Sequence, residues 1–308
     1  MKKWWVIVWM LFLTKLSFSQ DSCLPRYELP VKHLLVAENI KMAYVEKGQC
    51  DAIIFIHGLG GNLSHWQKNI SDLSANFHCI AVDLPGYGHS DKSFSTEKDQ
   101  LQFYADALQT FIRKKNFKKV VLAGHSMGGQ IATILALQHP QLISRVILLA
   151  PAGLETFTEA EAKMMMAATP PTIFEKQEEA VMRYNYKQNF YQQPTDAEVL
   201  IQDRLRLKNC GDFKQYTEAV SNSIKGMLDH PIRKDLSKLI QPVLILFGEN
   251  DALIPNKLLH ANLKREVLLS EISQEIKKNK IVIIPGVGHL LQFEKPGEIN
   301  KEIKTFLQ

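Results

Sequence analysis

The sequence predicts an α/β fold, a doubly wound and mostly parallel sheet with an inserted helical cap. Three observations predict it. Short, wholly apolar runs alternate with segments of helical spacing, the pattern of a sheet covered on both faces. The run Gly124-His125-Ser126-Met127-Gly128-Gly129 joins one such strand, residues 119–123, to a helix over 130–139. The strand rhythm then stops for about eighty residues and resumes near position 243.

Before the fold comes a segment of different character. Met1-Lys2-Lys3 is basic, residues 4–13 are uninterruptedly apolar, and Ser17-Phe18-Ser19 supplies small residues ahead of Gln20. This is the three-part layout of an export signal, so residues 1–20 are expected to be a signal peptide cleaved near Ser19/Gln20 and the chain to be periplasmic or secreted. An uncleaved membrane anchor is the alternative, although ten apolar residues fall short of the roughly 20 that a span requires. Cys23 follows a poor lipoprotein signal.

The formal charge is +5, but Lys2, Lys3 and Lys15 lie in this segment, which has no acidic residue. What remains has no basic stripe, so nucleic acid is not expected as a partner. With 45% hydrophobic residues in 308, the chain can bury a large core and has no signature of disorder. Four cysteines are too few for a disulfide scaffold, but export would permit one bridge, and Cys23 with Cys50 is the expected pair. No Cys/His cluster has metal-ligand spacing, and no cofactor is expected.

Along the chain, residues 34–37 and 40–45 read as strands joined by a turn at Glu38-Asn39, and 52–56 as a buried strand ending at His57-Gly58. A helix over 64–73 and a strand over 77–82 follow. Residues 99–115 have helical spacing at Leu101, Tyr104, Ala105, Leu108 and Ile112. The helix after Ser126 stops near His139-Pro140. Strands follow at 146–149, 243–247 and 281–284, with helices expected over 256–278 and 296–307. The core is therefore assigned to 24–152 and 236–308, and the cap to 153–235.

A serine flanked by glycines between strand and helix is a nucleophile elbow. The path is so tight that a flanking side chain would clash, and the hydroxyl is left exposed. Three further runs accompany it: His57-Gly58-Leu59-Gly60-Gly61, Asp83-Leu84-Pro85-Gly86-Tyr87-Gly88-His89-Ser90, and the pair Gly248-Glu249-Asn250-Asp251 with Gly286-Val287-Gly288-His289. On these four runs the chain resembles the α/β-hydrolase superfamily, in its serine esterase and lipase branch. The match covers nearly everything outside the cap.

A serine hydroxyl needs a base, and the base an orienting acid. In this superfamily both follow the serine, each on a loop after a strand. His289 follows strand 281–284 and Asp251 follows strand 243–247. Glu249 competes with Asp251, but the resemblance places the acid at the Asp of Gly-x-x-Asp. Some relatives carry it one strand earlier, where this chain has no carboxylate before Glu155. His57 and His125 adjoin motifs and are given structural roles, as is the Asp83 run. The resemblance implies oxyanion donors at the N–H of Met127 and of Leu59. Gly60 is expected to let its loop approach the substrate.

Relatives that open epoxides or cleave carbon–halogen bonds carry aspartate at the nucleophile, so Ser126 implies acyl transfer. Met164 and Met165, in a run of three methionines, read either as a flexible wall for an apolar acyl group or as the cap's own core. Ala150-Pro151-Ala152-Gly153-Leu154 and Phe190-Tyr191-Gln192-Gln193-Pro194-Thr195 resemble monoacylglycerol-lipase-like members. The expected activity is hydrolysis of short or medium acyl esters, monoacylglycerols among them, by an acyl-enzyme. The expected partner is a small ester or lipid, with transient membrane contact. A carbon–carbon hydrolase or thioesterase on the same triad is the alternative, and a non-catalytic binder on this fold is the alternative from another class.

Overall fold

Residues 23–93 and 99–308 are described by the computed structural model of the protein. The expected signal segment and its cleavage point lie outside them.

Eight strands form one sheet: β1 (Lys32–Ala37), β2 (Ile40–Lys47), β3 (Ala52–Ile56), β4 (His78–Val82), β5 (Val120–His125), β6 (Ile143–Leu149), β7 (Val243–Gly248) and β8 (Asn279–Ile284). Their spatial order is β1-β2-β4-β3-β5-β6-β7-β8. β1 and β2 pair antiparallel, as do β2 and β4, and every later pairing is parallel. Every residue of β3, β5 and β7 is buried, because helices cover both faces of the sheet centre, while the edge strands β1 and β8 carry exposed positions. A parallel sheet requires that double cover, which is why these strands read as continuous apolar runs rather than alternating ones.

On the core side the helices are α1 (Gln67–Leu73), α2 (Gln100–Lys114) and α3 (Met127–Gln138). Asp99 caps α2, its side chain accepting from the N–H of Leu101 and Gln102. Between β6 and β7 comes the insertion: α4 (Glu159–Ala168), α5 (Pro171–Glu175), α6 (Glu179–Lys187), α7 (Glu198–Leu207) and α8 (Phe213–Asp229), with no strand. α9 (Arg265–Glu275), α10 (Leu291–Glu294) and α11 (Pro296–Leu307) complete the core.

Two expectations are corrected. The helix expected over 256–278 begins only at Arg265. The Asn256 side chain accepts from the N–H of Leu258 and Leu259, which closes a turn and competes with helix. The disulfide joins Cys23 to Cys210, not to Cys50, which is exposed and free. The reason is topological. Cys50 precedes β3 at the N-terminal edge of the parallel strands. The segment after Cys23 runs along the other edge, where Tyr27 donates to the Asp83 carboxylate that follows β4. There it meets the cap loop between α7 and α8, so the bridge ties the start of the core to the cap.

Candidate active site

The site lies at the C-terminal ends of the parallel strands, where open α/β sheets leave a crevice. Ser126 sits between β5 and α3 at φ 52° and ψ −118°, a left-handed conformation that a side chain rarely adopts. The surroundings hold it there. Its N–H donates to the Leu149 carbonyl at 2.9 Å, and its own carbonyl accepts from Gly129 and Ala152. A Cβ at Gly124 would overlap the Gly128 carbonyl, and one at Gly128 would overlap the Ile56 carbonyl of β3. The two glycines therefore let the turn fold back on itself and press against the neighbouring strand.

His289 follows β8, and its Nδ1 lies 2.9 Å from Oδ2 of Asp251, which follows β7. Both side chains are buried. The other carboxylate oxygen of Asp251 accepts from the N–H of Leu253 (2.8 Å) and Ile254 (3.2 Å). Burial pushes the Asp251 carboxyl up, but the charge and hydrogen bond of His289 and these two amides outweigh it and hold it below its usual value. The rival carboxylates are engaged elsewhere. Glu249 accepts from the Gly286 N–H, and Glu155 accepts from Asn256 N–H and pairs with His260.

Ser126 and His289 together wall two adjoining cavities. No hydrogen bond joins their side chains among the described residues. Such contacts are often loose before a substrate arrives and tighten with it. Met127 is the first residue of α3, so its N–H has no partner within the helix. Leu59 borders Ser126 in the second cavity, and a Cβ on its neighbour Gly58 would lie 3.2 Å from the Ser126 Cβ.

The first cavity, about 200 Å³, is largely apolar, with Phe157, Met165, Ile224, Met227 and Leu253 among its walls. The second, about 190 Å³, mixes apolar walls with polar groups, His65, Tyr186, Asn189 and Arg204 among them, and includes Gly60. Gly60 stands at φ +66° with its carbonyl accepting from the Tyr216 hydroxyl at 3.3 Å. Of the two methionines singled out, Met165 lines the first cavity. Met164 is 54% exposed and lines neither, because adjacent helix positions diverge by about 100°.

The flanking histidines do structural work. His57 Nε2 accepts from the Leu84 N–H while its Nδ1 donates to the Gly58 carbonyl, which fixes one neutral tautomer. His125 Nε2 donates to the His289 carbonyl at 2.9 Å. Burial, then the nearby His289, pull the His125 pKa well down. The Asp83 carboxylate accepts from Leu63 N–H, His89 N–H and Tyr27, and so organises its loop.

Several supporting residues were invisible to motif reading. Arg265 donates to the carbonyls of Gly248, Glu249 and Asp251 and so clamps the loop of Asp251. Glu294 accepts from Gly288, Tyr191 and Gln192, and the Leu290 N–H donates to Asn189. Cap residues 189–192 are thereby stapled to the loop of His289. His65, Tyr186 and Arg204 form part of the second cavity, and no pattern in the sequence pointed to His65 or Arg204.

The family model for the alpha/beta hydrolase fold matches residues 51–296. The chain belongs to the α/β-hydrolase family. It is 26% identical over 262 residues to the dihydrolipoyllysine-residue acetyltransferase component of the acetoin cleaving system of Pseudomonas putida, covering 83% of this chain and 63% of that protein. This chain thus spans less than two thirds of that relative. It is 25% identical over 277 residues to (E)-2-((N-methylformamido)methylene)succinate hydrolase of Acinetobacter baylyi, covering 90% of this chain and 98% of that one. Among solved structures, a probable hydrolytic enzyme from Pseudomonas aeruginosa superposes with TM-score 0.79 at 23% identity, covering 92% of this chain and 96% of that one, a likeness of fold.

Proposed function

We propose that this α/β-hydrolase cleaves carboxylic esters through an acyl-enzyme on Ser126. The observation that carries the reading is His289, paired with the buried Asp251 and sharing a cavity wall with a serine held in strained backbone at a helix N-terminus. His289 Nε2 takes the Ser126 proton as Oγ attacks the carbonyl carbon, then returns it to the leaving alkoxide. Asp251 holds the tautomer with hydrogen on Nδ1 and stabilises the imidazolium. The amides of Met127 and Leu59 receive the developing oxyanion. Water, activated by the same histidine, then releases the acid and frees the serine.

The apolar cavity supports an acyl or alkyl group of short to medium length, with Met165 rather than Met164 at its wall. Export is part of the same proposal. It is supported by the sequence of residues 1–20 and by the Cys23–Cys210 bridge, which is at home in an oxidising compartment.

The test is labelling by a fluorophosphonate probe together with hydrolysis of a nitrophenyl ester series. Labelling that disappears in Ser126→Ala is expected. An intact protein that neither labels nor turns over any ester refutes the reading and favours a binding protein on this fold.

A further inference from the structure

The second cavity carries chemistry that ester hydrolysis does not need. Arg204, on α7, lines it, with its guanidinium 4.8 Å from the Tyr216 ring centroid and close against Gly60. Among the described residues Arg204 makes no ion pair. Its neighbour Asp203 pairs with Arg206 instead, and no carboxylate lines the cavity. His65 lines the same space, is only 7% exposed, and has neither ring nitrogen hydrogen-bonded. A buried imidazole without a partner is costly unless something pairs with it, and Arg204, half-buried and in contact with the Tyr186 and Tyr216 side chains, faces the same space with no carboxylate to answer its charge.

The other cavity differs in kind. It is largely apolar, and its carboxylate, Glu155, is already engaged. Ser126, Met227, Leu253 and His289 border both spaces, so one molecule lying across the serine would place unlike ends in them.

We infer that the substrate is an ester with an anionic oxygen group, carboxylate or phosphoryl, on one side of the scissile bond. Arg204 and His65 receive that group in the second cavity. Guanidinium presents paired N–H donors that match such an anion, and one ring N–H of His65 adds another. The opposite side of the ester is apolar. This rests on the ester-hydrolase reading for the reaction, but not for the binding, which can be measured without turnover.

The test uses Ser126→Ala protein titrated calorimetrically with methyl hydrogen adipate, with the methyl ester of 6-phosphonohexanoate, and with neutral dimethyl adipate. A hydrogen-bonded charge of this kind predicts that at least one anionic ester binds about ten- to a hundred-fold tighter than the neutral one. The anionic probe that shows the preference distinguishes carboxylate from phosphoryl recognition. Adding Arg204→Gln is expected to bring the ratio close to unity. Adding Arg204→Lys is expected to keep part of it, because charge remains while the planar fork is lost. In Ser126-intact protein the same ratio should appear in kcat/KM, carried mainly by KM. Equal binding of all three probes, including none, overturns the inference, and so does a preference that survives Arg204→Gln. Ester turnover without the preference sinks this inference alone. The preference without turnover sinks the ester-hydrolase reading alone.

Discussion

Asp251→Asn is the sharpest probe of the proposed chemistry, because the structure says what the amide would do. The side-chain oxygen that accepts from Leu253 and Ile254 can be kept, so the loop should hold. The oxygen facing His289 Nδ1 at 2.9 Å becomes an NH₂ group. Two donors cannot face each other, so the imidazole must offer its lone pair at Nδ1 and carry its hydrogen on Nε2. That is the tautomer that cannot accept the serine proton. The imidazolium formed during attack also loses a negative neighbour. At a charge separation of about 4 Å and an effective dielectric of about 20, this interaction is about 4 kcal/mol. The displaced charge-assisted hydrogen bond adds about 1.5–3 kcal/mol. At about 1.36 kcal/mol per decade, turnover should fall by about 10⁴- to 10⁵-fold. Asp251 lines neither cavity, so KM should barely move. The assay is steady-state hydrolysis of a nitrophenyl ester, with thermal unfolding as the control for folding. A well-folded Asp251→Asn protein within about tenfold of the parent kcat would refute the role of this carboxylate.

Further outcomes follow from other parts of the molecule. His289→Ala should lower kcat about as far as Ser126→Ala, and the double variant should lose little more, since the groups act as one unit; losses that simply multiply would show independent roles. Gly124→Ala should destabilise by several kcal/mol or prevent folding, because the added Cβ meets backbone rather than a movable side chain; a urea midpoint near the parent's would contradict the elbow geometry. Denatured without reductant, the region from Cys23 onward should expose two alkylatable thiols, Cys50 and Cys79, with Cys23 and Cys210 protected; peptide mapping that protects Cys50 would overturn the pairing. Glu46 bonds Lys32, His78 and Lys115. Burial raises its carboxyl, but these partners outweigh burial and lower it to about 2 from a reference of 4.5. Below the reference value the unfolded chain binds the proton first, so Glu46 stabilises above pH 4.5 and its contribution fades as pH falls through about 2. Glu46→Gln should flatten the pH dependence of urea stability in that window, and an unaltered slope would remove Glu46 from the acid transition.

How much of this was legible depends on whether a feature is made by the backbone locally. The elbow was legible because Gly124 and Gly128 are needed for close approach wherever that turn occurs. The buried strands were legible because helices on both faces demand continuous apolar runs. His289 and Asp251 could be placed because each follows such a strand at a turn rich in glycine. Features made by tertiary meeting were not legible. Cys210 is the partner of Cys23 because the N-terminal segment crosses to the cap edge, and nothing local to either cysteine records that. The helix expected from residue 256 missed the turn that the Asn256 side chain closes. The methionine run could not say which of its members faces inward, since that depends on how α4 is rotated against α8.

Arg204 shows where sequence reading ends for function. In the run Asp203-Arg204-Leu205-Arg206 either arginine looks like a solvated helix charge, and helix spacing offers Asp203 to Arg206 at i+3 rather than to Arg204 at i+1. Where Arg204 then points is set by the fold. Arg206 takes the carboxylate, while Arg204 lines the cavity beside Gly60 and Ser126. The cap must remain in place for that to matter, and two ties keep it so: the disulfide to Cys23 and the Glu294 bonds to residues 191 and 192. Under the proposed chemistry, a helical insertion attached at both the start of the core and the loop of His289 selects among substrates, while the elbow and its partners set the reaction class. Specificity here should therefore shift with substitutions on α7 and α8, and reactivity with those at the strand ends.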